Sequence, residues 1–340
     1  MNPEGNDSAT SRGERAPAAR GPGTPLIKEC PLSGTVHYAS LEPLPATDAH
    51  VAAAEPAVRI VEVSPRDGLQ NEKAVLSAAT KIALVDRLSA VGLRTVEVTS
   101  FVSPKAIPQL ADAEAVMAGI TRRAGVRYTV LVPNERGLDR ALPTRPDGIV
   151  VFGSASETFS QKNINCSIAE SLERFRPVVR RAKEAGLHVR ATISCALGCP
   201  YEGEVAPATV ARVAAELAAM GIDELSVADT IGVGTPELTR RVFEAVFAHV
   251  VPASVNGHFH DTYQRALVNI EACLALGVRS FDASAAGLGG CPFAPGATGN
   301  VATESVLELV AARGFSSGVD LEAVRAAGVW IRAQLAASGQ

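Results

Sequence analysis

The chain has 340 residues, 32 lysines and arginines against 36 acids, a formal net charge of −4, and a hydrophobic fraction of 47%. No basic excess exists to neutralise a phosphate backbone, which argues against a nucleic-acid binder. No run of about 18 uncharged apolar residues exists to cross a membrane as a helix, and six cysteines are too few for a disulfide scaffold, so a reducing compartment is expected.

Residues 1–56 are dominated by Gly, Pro, Ala, Ser and Thr with no sustained period. Such a segment buries too little apolar surface to offset its ordering entropy, so it is expected to be a largely disordered N-terminal extension, with a docked piece near Val36–Leu41 as the exception. Arg12, Arg15 and Arg20 among Ala and Ser would suit a transit peptide, but Glu4, Asp7 and Glu14 do not. Arginine and alanine enrichment points to a GC-rich, bacterial genome and a cytoplasmic protein, with a mitochondrial matrix location as the weaker alternative.

From Val58 onward, short β-branched runs alternate with longer amphipathic stretches, making 57–340 one domain. Strands are predicted at Val58–Val63, Thr95–Thr99, Arg127–Val132, Gly148–Phe152, His188–Ile193, Glu224–Ala228, Ser254–Phe259 and Arg279–Ser284. Helices are predicted at Ala78–Val91, Ile107–Gly119, Glu135–Leu142, Ile168–Ala185, Ala206–Met220, Pro236–Val250, Thr262–Leu276 and Ala302–Ala312, several ending at a glycine suited to a left-handed C-cap. Eight strand–helix units over about 255 residues predict an α/β fold, the closed (β/α)8 TIM barrel, with Leu321–Ala336 as an extra C-terminal helix. An open doubly wound sheet is the structural rival.

In such a barrel the chemistry gathers at the C-terminal ends of the strands. His258 and His260, two residues apart at the end of strand 7, point to the same side. Barrel closure brings Asp67 after strand 1 and Asn300 after strand 8 towards them. Two imidazoles, a carboxylate and an amide without thiolate suit Mg²⁺ or Mn²⁺; two satisfied histidines at a strand end are the alternative. Arg66 is either an ion pair with Asp67 or an oxyanion stabiliser, and Arg66 with Gln70 are the candidate substrate contacts. Glu97, inside strand 2, must be paired, either to Arg66 or to orient the site. Cys291 lies in a loop crowded with glycine and proline, as a general acid or nucleophile on a lid, or as a buried small hydrophobe. A base is sought in His258 or Asp229. Cys195-x3-Cys199 is read as structural rather than redox-active, and Trp330 as packing.

Several segments carry a resemblance. Ser64-Pro65-Arg66-Asp67-Gly68-Leu69-Gln70-Asn71-Glu72, Thr99 to Lys105, Asn163 to Ser167, Ser194 to Gly203, Asp229-Thr230-Ile231-Gly232, His258 to Tyr263 and Gly287 to Asn300 resemble, in order, the metal-dependent DRE-type TIM-barrel lyases and synthases, and among them the 3-hydroxy-3-methylglutaryl-CoA lyases. The resemblance implies cleavage of that acyl-CoA to acetyl-CoA and acetoacetate, as in leucine degradation. It implies a divalent cation on Asp67, His258, His260 and Asn300, catalytic positions at Arg66, Glu97, Asp229 and Cys291, and a homodimer. Phe259 stands where animal members carry Cys and is expected to point away from the metal. Competing readings are a related acyl-CoA lyase (citramalyl-CoA or an isoprenoid-branched glutaryl-CoA), a Claisen-type synthase of the same superfamily, and a catalytically silent barrel acting as a binding module. The amidohydrolase pattern places its His-x-His on strand 1 instead.

Overall fold

The structure is a computed structural model that describes residues 57–289 and 299–338. The expectations for residues 1–56 and for Cys291 lie outside those residues. Eight strands, β1 (Arg59–Glu62), β2 (Thr95–Ser100), β3 (Arg127–Leu131), β4 (Gly148–Ser154), β5 (His188–Ser194), β6 (Glu224–Asp229), β7 (Val255–Phe259) and β8 (Ser280–Ala283), run in parallel. They close in sequence order, β8 pairing with β1 through Arg59↔Ser280 to Glu62↔Ala283. Each predicted strand is present, and the closed barrel excludes the open-sheet rival.

The β-branched residues that mark the strands pack outwards against a ring of helices, α1 (Ala78–Ser89), α2 (Ala113–Gly119), α3 (Glu135–Ala141), α4 (Glu157–Ile164), α5 (Ile168–Glu184), α6 (Pro207–Ala219), α7 (Pro236–Phe247), α8 (Ala266–Ala275) and α9 (Thr303–Ala312). Helix α5 shows the local logic. Ser167 caps it with Glu170 in a reciprocal capping box, and Ile168, Leu172, Phe175, Val179 and Ala182 form the buried stripe. Each of the first four of these side chains contributes roughly 1.5–3 kcal/mol by leaving water. The extra helix α10 (Leu321–Ser338) packs on α1 and α9, and Arg87 lies 4.5 Å over the Trp330 ring.

Two predicted boundaries shift, and one helix is additional, for identifiable reasons. Helix α2 starts at Ala113 because Pro108–Leu110 makes a separate tight turn, held by the Lys81 ammonium on the Gln109 carbonyl and Asp112. Helix α8 starts at Ala266, whose N–H is taken by Asp261 Oδ1 at 3.0 Å, so the preceding residues wrap the strand 7 loop. Helix α4 has no counterpart among the predicted elements: it buries only Phe159 and Ser160, too little for a visible period, and depends on Ser156 Oγ accepting the Phe159 N–H.

Inside the barrel the picture departs from a hydrocarbon filling. Glu97, Arg190, Glu224, Ser226, Asn256, His258, Ser280 and Asp282 occupy alternate positions of their strands and are buried. Ser280 donates to Asn256 Oδ1 at 2.7 Å, and Arg59 closes the lower end through Ser280 and Glu224, 2.8 Å away. Paired polar groups can fill a lumen because each removal from water is offset by a partner.

Candidate active site

The site is built on the ends of β1, β2, β6, β7 and β8. After β1 the chain makes one wide helical turn, Ser64–Gly68, in which the N–H groups of Arg66, Asp67 and Gly68 all converge on the Val63 carbonyl. Wide turns of this kind recur at functional sites. The turn can lie flat on the β8 loop because Gly68 has no side chain: a Cβ there would stand 2.9 Å from Leu288 Cβ and 3.0 Å from Ser284 Oγ. Gly289, at φ +100°, faces the same seam, where a Cβ would stand 2.9 Å from Asn300 Nδ2 and 3.1 Å from Gly68 Cα.

Glu62 locks this corner. Its Oε1 accepts the N–H of Ser64 at 3.0 Å and of Ala285 at 2.9 Å, and Thr303 Oγ1 lies 2.8 Å from Oε2. Burial pushes its carboxyl up to about 7, against the opposing pull of these hydrogen bonds.

Arg66 spans two carboxylates, its Nε on Glu97 and its Nη1 on Asp67, both at 2.5 Å. The ion-pair readings of Arg66 and Glu97 are therefore both present, in one three-residue group. Asn300 donates through Nδ2 to Asp67 Oδ2 at 2.8 Å and to the Leu288 carbonyl at 3.2 Å. Burial would raise the Asp67 carboxyl, but Arg66, His258, His260 and Asn300 outweigh it and hold it well below the usual range.

His258 and His260 project from the end of β7 with ring centroids 5.3 Å apart. One donor atom from each of Asp67, His258 and His260 lies within 4.8 Å of the others. Among the described residues His260 Nδ1 is buried with no hydrogen-bond partner, the kind of orphaned ring nitrogen whose lone pair a bound cation would take. Burial and the neighbouring His258 lower its pKa to about 4, which keeps a lone pair available at neutral pH. These three residues fit a divalent cation. Asn300 adjoins them, its backbone paired with His260 in an isolated bridge, but turns its amide nitrogen to Asp67.

Asp229 ends β6 beside this group. Its carboxylate accepts the N–H of Val233 at 3.1 Å and of Gly234 at 2.9 Å, so it also ties down the glycine turn that follows the strand. Burial outweighs those amides and raises its pKa to about 6. Gln70 is half-buried just beyond the Arg66 turn. Phe259 points outwards, stacked on Phe243 of α7 at 6.2 Å, as its place between the two histidines predicts. Cys195 and Cys199 are buried free thiols; Cys199 Sγ accepts the N–H of Tyr201 and of Glu202, a loop-tying role.

Reasoning from sequence missed Asp282 and Arg190. Asp282 Oδ2 lies 3.0 Å from His258 Nδ1, and Arg190 Nη2 donates to both Asp282 oxygens. The available signal was the polar residue at alternate positions within otherwise apolar strands, which a buried lumen does not tolerate without partners.

Comparisons with known proteins show the family of the chain. Residues 57–331 match the family described as HMGL-like. The chain is 51% identical over 279 residues to the hydroxymethylglutaryl-CoA lyase of Pseudomonas mevalonii, covering 82% of this chain and 93% of that protein. It is 55% identical over 281 residues to a 3-hydroxy-3-isohexenylglutaryl-CoA/hydroxymethylglutaryl-CoA lyase of Pseudomonas aeruginosa, covering 83% and 94%. The crystal structure of an HMG-CoA lyase from Brucella melitensis superposes with a TM-score of 0.81 at 52% identity, covering 82% of this chain and 98% of that one.

Proposed function

The chain belongs to the HMGL-like family and is a lyase, and on that premise we propose that it cleaves 3-hydroxy-3-methylglutaryl-CoA to acetyl-CoA and acetoacetate. The observation that carries the reading is the Asp67–His258–His260 group at the mouth of the barrel, beside a guanidinium, Arg66, that bridges the partly buried Asp67 and the buried Glu97.

In this reading Asp67, His258 and His260 hold a divalent cation, Mg²⁺ or Mn²⁺, with Asn300 as the neighbouring fourth group. When bound, the cation supplies Lewis-acid polarisation of the substrate's tertiary hydroxyl and carbonyl oxygens. Asp229 is the base that removes the hydroxyl proton: its pKa of about 6 keeps it ionised yet basic at neutral pH. His258 is the weaker candidate, because Asp282 already occupies Nδ1 and the residue would be committed to holding the cation. Electrons from the O–H bond form the acetoacetate carbonyl, and the C–C bond breaks towards the thioester. Arg66, fixed by Glu97, stabilises the resulting enolate oxygen, with Gln70 as a further substrate contact. Cys291, in the Gly289-Gly290-Cys291-Pro292 run, protonates the enolate carbon to give acetyl-CoA; its support is sequence alone.

A second substrate is favoured by one observation: the Pseudomonas aeruginosa relative, at 55% identity, is named for an isohexenyl-branched glutaryl-CoA as well. The cytoplasm is the proposed location, supported by the two bacterial relatives; among the described residues no helix is long and apolar enough to cross a membrane. A homodimer is proposed on the family resemblance.

The test is acetoacetate release from 3-hydroxy-3-methylglutaryl-CoA, with Mg²⁺, with EDTA, and with Cys291→Ala. The expected result is turnover that needs metal and collapses in the variant. Absence of turnover by the metal-loaded protein, with activity on the branched substrate instead, would transfer the assignment to the second reading.

A further inference from the structure

Four buried side chains inside the barrel converge on one carboxylate that the proposed reaction does not use. Asp282 of β8 takes Arg190 Nη2 on Oδ1 at 2.6 Å and on Oδ2 at 2.5 Å. Asn256 Nδ2 donates to Oδ1 at 3.0 Å, and Ser226 Oγ approaches Oδ2 at 3.5 Å. Arg190 is 3% exposed, Asp282 4%, and Asn256 and Ser226 are fully enclosed. The remaining contact of Oδ2 is His258 Nδ1, at 3.0 Å.

We propose that Asp282, anchored by Arg190, is a positioning residue that fixes the tautomer of His258, so that Nδ1 carries the proton and Nε2 presents its lone pair to the Asp67–His260 group. The proposal rests on the reading of that group as a cation site.

The argument is one of donors and acceptors. A carboxylate only accepts, and a guanidinium on both its oxygens keeps it in that form. The imidazole nitrogen facing it must therefore be the donor. A neutral imidazole with Nδ1–H has its free electron pair on Nε2, which is the form a metal ligand requires. The contrast within the pair is informative. Among the described residues His260 Nδ1 is buried without a hydrogen-bond partner, so none of them fixes a proton there, whereas His258 Nδ1 faces a carboxylate that Arg190 holds on both oxygens. Arg190 sits on β5, Ser226 on β6, His258 and Asn256 on β7 and Asp282 on β8. The barrel wall thus sets the state of a residue at its mouth.

A purely structural Arg190–Asp282 ion pair would hold the strands together without controlling His258, and the two readings separate experimentally. The full chain, labelled with ¹⁵N-histidine and metal-free, is examined by long-range ¹⁵N–¹H correlation, with the His258 signals identified by their loss in His258→Ala. The Nδ1–H tautomer is expected; an Nε2–H tautomer in the wild-type chain overturns the proposal. Asp282→Asn tests control. Its amide must give Oδ1 to Arg190 and turn Nδ2 towards His258, which then accepts at Nδ1 and carries its proton on Nε2. The variant is expected to show that reversed tautomer and to bind Mn²⁺, read by electron paramagnetic resonance of the free ion, about ten- to a hundredfold more weakly. Ser226→Ala, which removes the long contact to Asp282 and the 3.1 Å hydrogen bond from Asn256 Nδ2 but leaves Arg190 on Asp282 and Asp282 on His258, should change neither. If wild-type and Asp282→Asn bind Mn²⁺ equally with the same tautomer, the positioning role fails while the cation site stands. If the wild-type chain binds no Mn²⁺, the cation reading fails, and the tautomer spectrum still decides what Asp282 does. Should Asp282→Asn not fold, the wild-type spectrum is decisive.

Discussion

Replacing Glu62 by glutamine should stabilise the protein at alkaline pH, by a margin that shrinks towards acid pH. In the fold the Glu62 carboxyl titrates at about 7, against 4.5 for an ordinary glutamate, because burial outweighs its hydrogen bonds. A folded pKa above the unfolded one favours the protonated form. The contribution is complete below pH 4.5 and is lost as pH rises through about 7. Every tenfold change in an acid's dissociation constant between the folded and unfolded chain corresponds to about 1.4 kcal/mol, so the ionised side chain costs up to about 3 kcal/mol above neutrality. Glutamine can keep the whole set of contacts. Its carbonyl oxygen accepts the N–H of Ser64 and Ala285, and its NH₂ donates to Thr303 Oγ1. Thermal unfolding of both chains, followed by circular dichroism between pH 5 and 8.5, measures the difference. The difference should be smallest at pH 5 and grow to several degrees in the variant's favour at pH 8.5, since about 1 kcal/mol moves a chain of this size by roughly 2–4 °C. A difference that does not vary with pH, or a variant less stable at pH 8.5, would refute the reasoning. Glu62→Ala is the contrasting case. It strands two backbone donors at the corner that carries Arg66 and Asp67, so stability and lyase activity should fall together.

The site yields further expectations. Arg66→Gln leaves Glu97, 1% exposed, without its guanidinium partner; lyase activity should drop by at least about a hundredfold and stability by about 3–5 kcal/mol, read by steady-state kinetics and urea unfolding. Activity should fall about tenfold per pH unit below about 6 as Asp229 takes up its proton, and a pH–rate profile that stays flat down to pH 5 would remove Asp229 as the base. Gly68→Ala sets a Cβ 2.9 Å from Leu288 Cβ, which must separate the β1 and β8 loops; calorimetric titration with Mn²⁺ should show weaker binding together with a lower melting temperature. Phe259→Leu loses the stack on Phe243, so denaturant unfolding should record a loss of about 1–3 kcal/mol while the affinity for Mn²⁺ stays unchanged.

Much of the fold was legible because its signals are local. A parallel strand buried on its outer face needs β-branched residues, and a helix on that face needs an apolar stripe, so Val58–Val63 and Ile168–Ala185 announce themselves within a few residues. Eight repeats in order leave few topologies open. The histidine pair was legible for the same reason, since residues two apart on a strand share a side whatever the rest of the chain does. Helix α4 was not, because one cap and one buried phenylalanine hold it.

The sequence by itself therefore determined the barrel, the end at which its chemistry lies, and the residue types offered there. The tertiary structure alone decided how those residues are wired. That Arg66 bridges Glu97 and Asp67, that Asn300 turns its amide nitrogen to Asp67, that Glu62 clamps the β1 and β8 loops, and that Arg190 and Asp282 reach His258 across the lumen are contacts between residues up to 241 positions apart. The physical reason is that a charge inside a protein is tolerable only beside its partner, and the partner is chosen by which strands the closed barrel brings face to face.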